Sequence, residues 1–170
     1  MKLTAAIARR TWSYDPSSGI LRYKVRGGSR KAIGDQAGTI SNGRRLLSFW
    51  GTRYIASRVI WLIVKGRWPK NEIDHKNRNP LDERWTNLRH CSRRKNGYNR
   101  DSGRKNKTGY LGVHQQSKLP GRVVLRYYGS VMIRGEKRRT KRFDTAVEAA
   151  IARDALAKQL HGEFARLNFS

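Results

Sequence analysis

The chain has 170 residues, with 38 Lys and Arg against 12 Asp and Glu, a formal charge of +26 and an isoelectric point near 11.4. Self-repulsion on that scale speaks against a neutral scaffold and implies a polyanionic partner. Five Trp, seven Tyr and four Phe interleaved with the basic residues exclude a disordered basic tail, leaving a folded nucleic-acid binder against the blander class of ribosomal-type or membrane-surface proteins.

Cys91 is the only cysteine, so neither a disulfide framework nor a multi-cysteine zinc site is available, which fits a reducing compartment. The opening MKLTAAIARRTW has a short apolar run broken by Arg9 and Arg10, and lacks the apolar core of a signal peptide. The most hydrophobic window, 54-YIASRVIWLIV-64, contains Arg58 and is too short to span a bilayer. A soluble, cytoplasmic protein with no membrane partner is expected.

In chain order, residues 11–52 read as short strands and turns. SYDPSSGILRYKV holds a turn between two strand-like runs, and SNGRRLLSF places Asn-Gly ahead of another, a hairpin signal. A helix is predicted over 55–69, with Ile55, Val59, Leu62 and Ile63 on one face, Gly66 at its end and Pro69 forbidding continuation. EID and WTNLRH read as two strands around a loop rich in Asn and Pro. Ser92 is then a candidate N-cap for a short helix that puts Asn96 and Asn99 on a shared face. The stretch 100-RDSGRKNKT-108 reads as a basic linker. Beyond it GYLGVHQQ, VVLRYYGSVMIR and EKRRTKRF predict three strands with turns at Pro120-Gly121 and Gly135-Glu136. A helix follows over 145–162, with a Thr145/Glu148 capping box, a Gly162 stop and six alanines that permit close packing on a sheet. The fold class expected is α+β.

The stretch 71-NEIDHKNRNPLDERWTNLRH-90 carries the chemistry. A strand, loop, strand and helix can bring Asp74, His75, Asn87 and Asn96 together. A carboxylate and an amide oxygen are hard donors suited to Mg²⁺ or Mn²⁺. A neutral imidazole can take a proton from an attacking water, and Asn87 can fix the loop and the imidazole by hydrogen bonds. One divalent ion, one base and a basic scaffold describe phosphodiester hydrolysis, with no organic cofactor. Arg84 and Arg89 are either phosphate contacts or solvated faces; Glu83 can add a negative charge near the metal or face solvent, and solvent is expected. His114 and His161 are expected to be surface or packing residues.

The run IDH, then Asn87-Leu88-Arg89, Asn96 and Asn99, resembles the HNH endonuclease motif in the His-Asn-Asn version of phage homing endonucleases. The approach 54-YIASRVIWLIVKGRWPKNEIDH-75 resembles that family's lead-in. The resemblance implies a ββα-metal site at about 70–99, in which Asp74 and Asn96 bind one ion, His75 activates water and Asn87 is the central structural Asn. It also implies minor-groove entry, a 5′ phosphate product, and location in a bacterial host's cytoplasm if the gene is a phage's. Two departures stand out: Ser57-Arg58 in the lead-in, and Asp82-Glu83-Arg84 where relatives often read Asn-Asn-Arg or Asp-Asn-Arg.

The last sixty or so residues resemble the Apetala-two (ethylene-response-factor) DNA-binding domain. The resemblance rests on Leu111-Gly112-Val113, Ile133-Arg134, Phe143-Asp144-Thr145, Glu148-Ala149-Ala150, Asp154 and the ending HGEFARLNF. It implies a three-stranded sheet in the major groove backed by one helix. His114, Gln116, Arg134, Lys137, Arg139 and Lys141 are then its DNA contacts, with Arg84, Arg89 and Asn99 as contacts of the first domain. The sheet tryptophans of that family are replaced near Gly129 and Arg139.

The domains expected are a nuclease at 1–99, a linker at 100–108 and a reader at 109–170. Together they describe a homing-type endonuclease that nicks double-stranded DNA as a monomer or weak dimer. The rivals are a non-catalytic DNA-binding regulator and a structure-selective phage nuclease.

Overall fold

In a computed structural model, which describes residues 2–26, 31–99, 107–116 and 126–169, the chain is α+β. It divides into two units, Met1–Asn96 and Gly97–Ser170. Most of the expected linker and the Pro120-Gly121 turn lie outside the described residues. No helix among the described residues is long and apolar enough to cross a membrane.

The first unit opens with a helix that the short apolar run only hinted at. It is α1 (Ala5–Thr11), capped by Thr4, whose hydroxyl oxygen accepts from the Ile7 N–H. Next comes a small hairpin, β1 (Trp12–Tyr14) against β2 (Leu21–Tyr23). Its turn is tied by the Asp15 carboxylate, which accepts from the hydroxyls of Ser17 and Ser18 and is thereby held down at about 2.

A three-stranded antiparallel sheet follows: β3 (Thr39–Ser41), β4 (Arg44–Phe49) and β5 (Thr52–Ile55). The Asn42-Gly43 pair makes its first turn with φ of 49° and 70°, as the dipeptide predicted. Trp50-Gly51 makes the second in the same backbone conformation, φ 46° and 73°.

Helix α2 (Ala56–Lys65) ends at Gly66 in the left-handed region, whose N–H donates to Leu62 O. Its buried stripe is Ala56, Ser57, Val59, Ile60 and Leu62. The stripe is therefore rotated from the expected one, with Ile55 serving as the cap and Ile63 only half-buried. The core of this unit joins Trp12, Leu21, Leu47, Ile60, Ile73 and Leu88, so every sheet of the unit contributes to one apolar interior.

The second unit is a three-stranded sheet in the order β10-β9-β8, with β8 (Val113–Gln115), β9 (Tyr127–Ile133) and β10 (Glu136–Phe143). The β9–β10 turn is Arg134-Gly135, one residue earlier than expected, with φ of 51° and 88°. Helix α4 (Ala146–His161) starts with the predicted capping box and packs on one face of this sheet. Ala149 and Ala150 close over Val113. Asp154 accepts from the backbone N–H groups of Asn168 and Phe169, and Asn168 Oδ1 accepts from the Leu111 N–H. These bonds explain why Asp154, Leu111 and the Leu-Asn-Phe ending occur together: they clip the C-terminus to the start of the sheet.

Gly129 sits where the helix approaches closest. A Cβ there would lie 2.4 Å from Arg153 Cβ and 2.9 Å from Ala149 O. Gly129→Ala is expected to destabilise the second unit by about 2 kcal/mol through overpacking, read as a lower denaturant midpoint in chemical unfolding.

Candidate active site and nucleic-acid face

The site is a strand pair followed by a helix: β6 (Glu72–His75), β7 (Leu88–Cys91) and α3 (Arg93–Asn99). WTN, expected to begin the second strand, is instead a 3-10 turn over Trp85–Asn87. In the antiparallel register Glu72 faces Cys91, Asp74 faces Arg89 and His75 faces Leu88. Alternation along β6 puts Glu72 and Asp74 on one side and Ile73 and His75 on the other. Arg58, from α2, donates to Pro69 O and Asn71 O and so aims the chain into β6.

Asp74 is buried and accepts from both Nε and Nη2 of Arg89 at Oδ2, at 2.8 and 2.7 Å. Arg89 is thus committed to an internal ion pair rather than to a solvated face, and its guanidinium offsets the charge of one carboxylate. Ser92 Oγ accepts from the Lys95 N–H, the cap the sequence predicted for α3. On that helix Asn96 donates its amide to Glu72 Oε2, which brings it to the carboxylate two positions from Asp74 on the same strand face. Glu72 was passed over in the sequence reading, although the two-residue alternation from Asp74 pointed to it. The Cys91 thiol reports the local charge: burial first, then Asp74 and Glu72, push it up to about 11. Asn99 is buried. His90 accepts from the Asn71 N–H and packs on Trp61.

His75 is 7% exposed, and its Nε2 lies 3.2 Å from Glu83 Oε2. A carboxylate only accepts, so the contact places the ring proton on Nε2. Glu83 is 3% exposed, which corrects the expectation that it faces solvent. The cause lies outside the motif. The Tyr14 hydroxyl donates to Glu83 O at 2.7 Å, the Trp85 N–H donates to Pro16 O, and Gly19, at φ 76°, lets the β1–β2 turn lie directly on the backbone of Glu83 and Arg84. Burial, followed by the charges of Glu83, Asp15 and Asp82, holds the Tyr14 hydroxyl protonated well above its ordinary range. Arg84 is exposed and gripped by Asp82, whose carboxyl it holds far below the usual range.

Asn87 closes the loop. Its Oδ1 accepts from the Asn77 N–H, and its Nδ2 donates to Asn77 Oδ1 and to Asp82 O, at 2.7–3.0 Å. This is the loop-fixing half of its anticipated role; the imidazole it was also expected to fix lies against Glu83. The donors near α3 fit a hard divalent ion: two carboxylates and an amide whose carbonyl oxygen is the ligating end. No three His, Cys, Asp or Glu side chains converge as a ready-made metal cage among the described residues.

In the second unit, Val113 and Gly129 face α4, so their strand neighbours face away from it. His114 lies opposite Tyr128, Arg139 opposite Ser130 and Lys137 opposite Met132. His114 stacks on Tyr128 and bonds Ser130 Oγ, while Arg139 lies over the Tyr128 ring. Burial, with Lys137 and Arg139 adding, lowers the His114 pKa. A bulge between Arg139 and Arg142 breaks the alternation and sets Arg142 opposite Tyr128. Arg142 and Arg126 therefore join a recess of about 720 Å³ that also takes in Gln116 and Arg139. Lys141, expected as a contact from its place on the same strand, lines the recess too, with its ammonium over Phe143. Arg134, at the turn tip, is exposed.

Residues 54–98, from β5 through most of α3, match the family described as HNH endonuclease. No curated protein and no solved structure gives a significant match. The family match supports nuclease activity on DNA, and HNH nucleases in general use a divalent metal.

Removing the Asn87 amide strands the Asn77 N–H and opens the loop. Asn87→Ala is expected to cost about 2 kcal/mol in chemical denaturation, and to make the 76–84 segment cleavable in limited proteolysis while wild type resists.

Proposed function

We propose that the chain is a divalent-metal-dependent DNA endonuclease of homing type, with His75 as general base and one ion held by Asp74 and Asn96. The observation that carries the reading is the β6–β7–α3 element, covered by the matched segment but for its last residue, with Asn96 bonded to Glu72 two positions from Asp74 on the same strand. His75, held by Glu83 with its proton on Nε2, carries its basic lone pair on Nδ1. It takes a proton from water as the oxygen attacks phosphorus; the P–O3′ bond breaks, giving a 3′ hydroxyl and a 5′ phosphate. A Mg²⁺ or Mn²⁺ ion there supplies charge stabilisation for the phosphate and the leaving oxygen. Glu72 orients Asn96, and Arg89 sets a guanidinium against the buried Asp74.

The second unit serves as an Apetala-two-like reader that sets the duplex in register. Its open sheet face, with Arg126, Arg139 and Arg142 around Tyr128, supports this. One centre per chain makes a nick the product of a monomer. A non-catalytic DNA-binding regulator is the second reading, and the Arg89–Asp74 pair favours it, because it neutralises the carboxylate a cation needs. A structure-selective nuclease differs from the homing type in showing no preferred duplex sequence.

Supercoiled plasmid with Mg²⁺ is expected to become open circular, and EDTA is expected to abolish this. His75→Ala should lower nicking at least a hundredfold while duplex Kd stays within twofold. Intact plasmid with tight duplex binding selects the regulator. Replacing Lys137 and Arg139 together by Ala should weaken duplex affinity several-fold and flatten its salt dependence, with slow cleavage retained at saturating enzyme.

A further inference from the structure

From Gln36 to Asn71 the chain contains no acidic residue and seven basic ones, bounded by Asp35 and Glu72. That window contains the whole β3-β4-β5 sheet. One face of the sheet carries the buried Leu47. On the other, register pairs Ser41 with Arg44 and Ser48 with Arg53, so hydroxyls and guanidinium groups flank the half-buried Leu46–Ile55 pair. Arg44 and Arg53 are exposed, and no ion pair to an acid engages either among the described residues.

At the tip of the same sheet stands Trp50, 75% exposed. Its backbone is left-handed, φ 46°, a conformation that bulky residues adopt only under constraint. The neighbouring turn in the same sheet solves the same geometry with Asn42-Gly43, the dipeptide the turn prefers. The chain thus keeps an indole in water at a position where asparagine is conformationally cheaper.

We infer that the β3-β4-β5 sheet is a further DNA-binding surface, in which Arg44 and Arg53 take backbone phosphates and Trp50 packs against a nucleotide sugar and base. The inference rests on DNA being the substrate. Charge complementarity selects the occupant: an acid-free guanidinium surface has no electrostatic reason to meet a second copy of so cationic a chain, and good reason to meet a polyphosphate. The hydroxyls of Ser41 and Ser48 are further phosphate donors, and an exposed indole offers a stacking plane that tolerates any base.

Trp50→Asn tests this with little risk to folding, because Asn suits the turn. In the full chain, with EDTA present to prevent cleavage, Trp50→Asn is expected to weaken affinity for a fluorescent duplex on the order of tenfold at every salt concentration. Its Tm should be unchanged or raised. Replacing Arg44 and Arg53 together by Ala should reduce the slope of log K against log salt by about two, as for two lost phosphate contacts. Unchanged affinity in both variants, with the wild type still binding duplex, overturns this inference alone. A wild type that binds no duplex overturns the nuclease reading as well. A concentration-dependent dimer in sedimentation that Trp50→Asn dissolves would instead assign the tip to self-association and overturn the proposal.

Discussion

Between His75 and Leu88 the chain leaves the sheet for twelve residues and must return in register. A slip of one residue would turn Asp74 and His75 to each other's faces, parting Asp74 from Arg89 and His75 from Glu83. Closing such a loop costs entropy, and its composition offers little apolar area to offset it. The bonds that close it are polar and internal: Asn87 to Asn77 and Asp82, Asp82 to Arg84, Lys76 to Thr86. Register, loop and site are therefore a single constraint. The apolar residues at its margins, Ile73 and Leu88, fasten that constraint to the core.

The distribution of negative charge follows the same logic. Four of the chain's twelve acids lie between positions 72 and 83. Each has a partner: Glu72 with Asn96, Asp74 with Arg89, Asp82 with Arg84 and Asn77, Glu83 with His75. In a protein this cationic, carboxylates could stay solvated as counter-charges. Burying Asp74 and Glu83 instead commits both to a fixed geometry, because an unpaired buried charge is costly, while Glu72 and Asp82 are half-buried.

Much of this was legible beforehand where backbone chemistry speaks locally. Asn42-Gly43, Gly66, the Thr145 capping box and the Ser92 cap all did what their residue types dictate. The motif placed Asp74 and Asn96 on the elements they occupy, whereas His75 ends the strand instead of leaving it and Asn87 lies in a 3-10 turn rather than on the second strand. Arg89 and Glu72 could have been found by laying the two strands in register. Glu83 could not: its burial is decided by Tyr14, Pro16 and Gly19, some seventy residues earlier in the chain. Helix α1 escaped because seven residues carry too little periodicity to declare themselves. The bulge that brings Arg142 to the open face of the second sheet leaves no signature in a run as uniformly basic as EKRRTKRF.

The way the β1–β2 turn lies on Glu83 bears on how such a chain can be rearranged by recombination. The recognisable stretch, 54–98, looks like a cassette that could be moved between proteins. Its imidazole partner, however, is held in place by a tyrosine and a proline carbonyl far upstream, and its apolar floor includes Trp12 and Leu21. The unit that can be exchanged intact is the longer one, hairpin included. A crossover falling just before residue 54 would carry the motif and leave behind what shapes it.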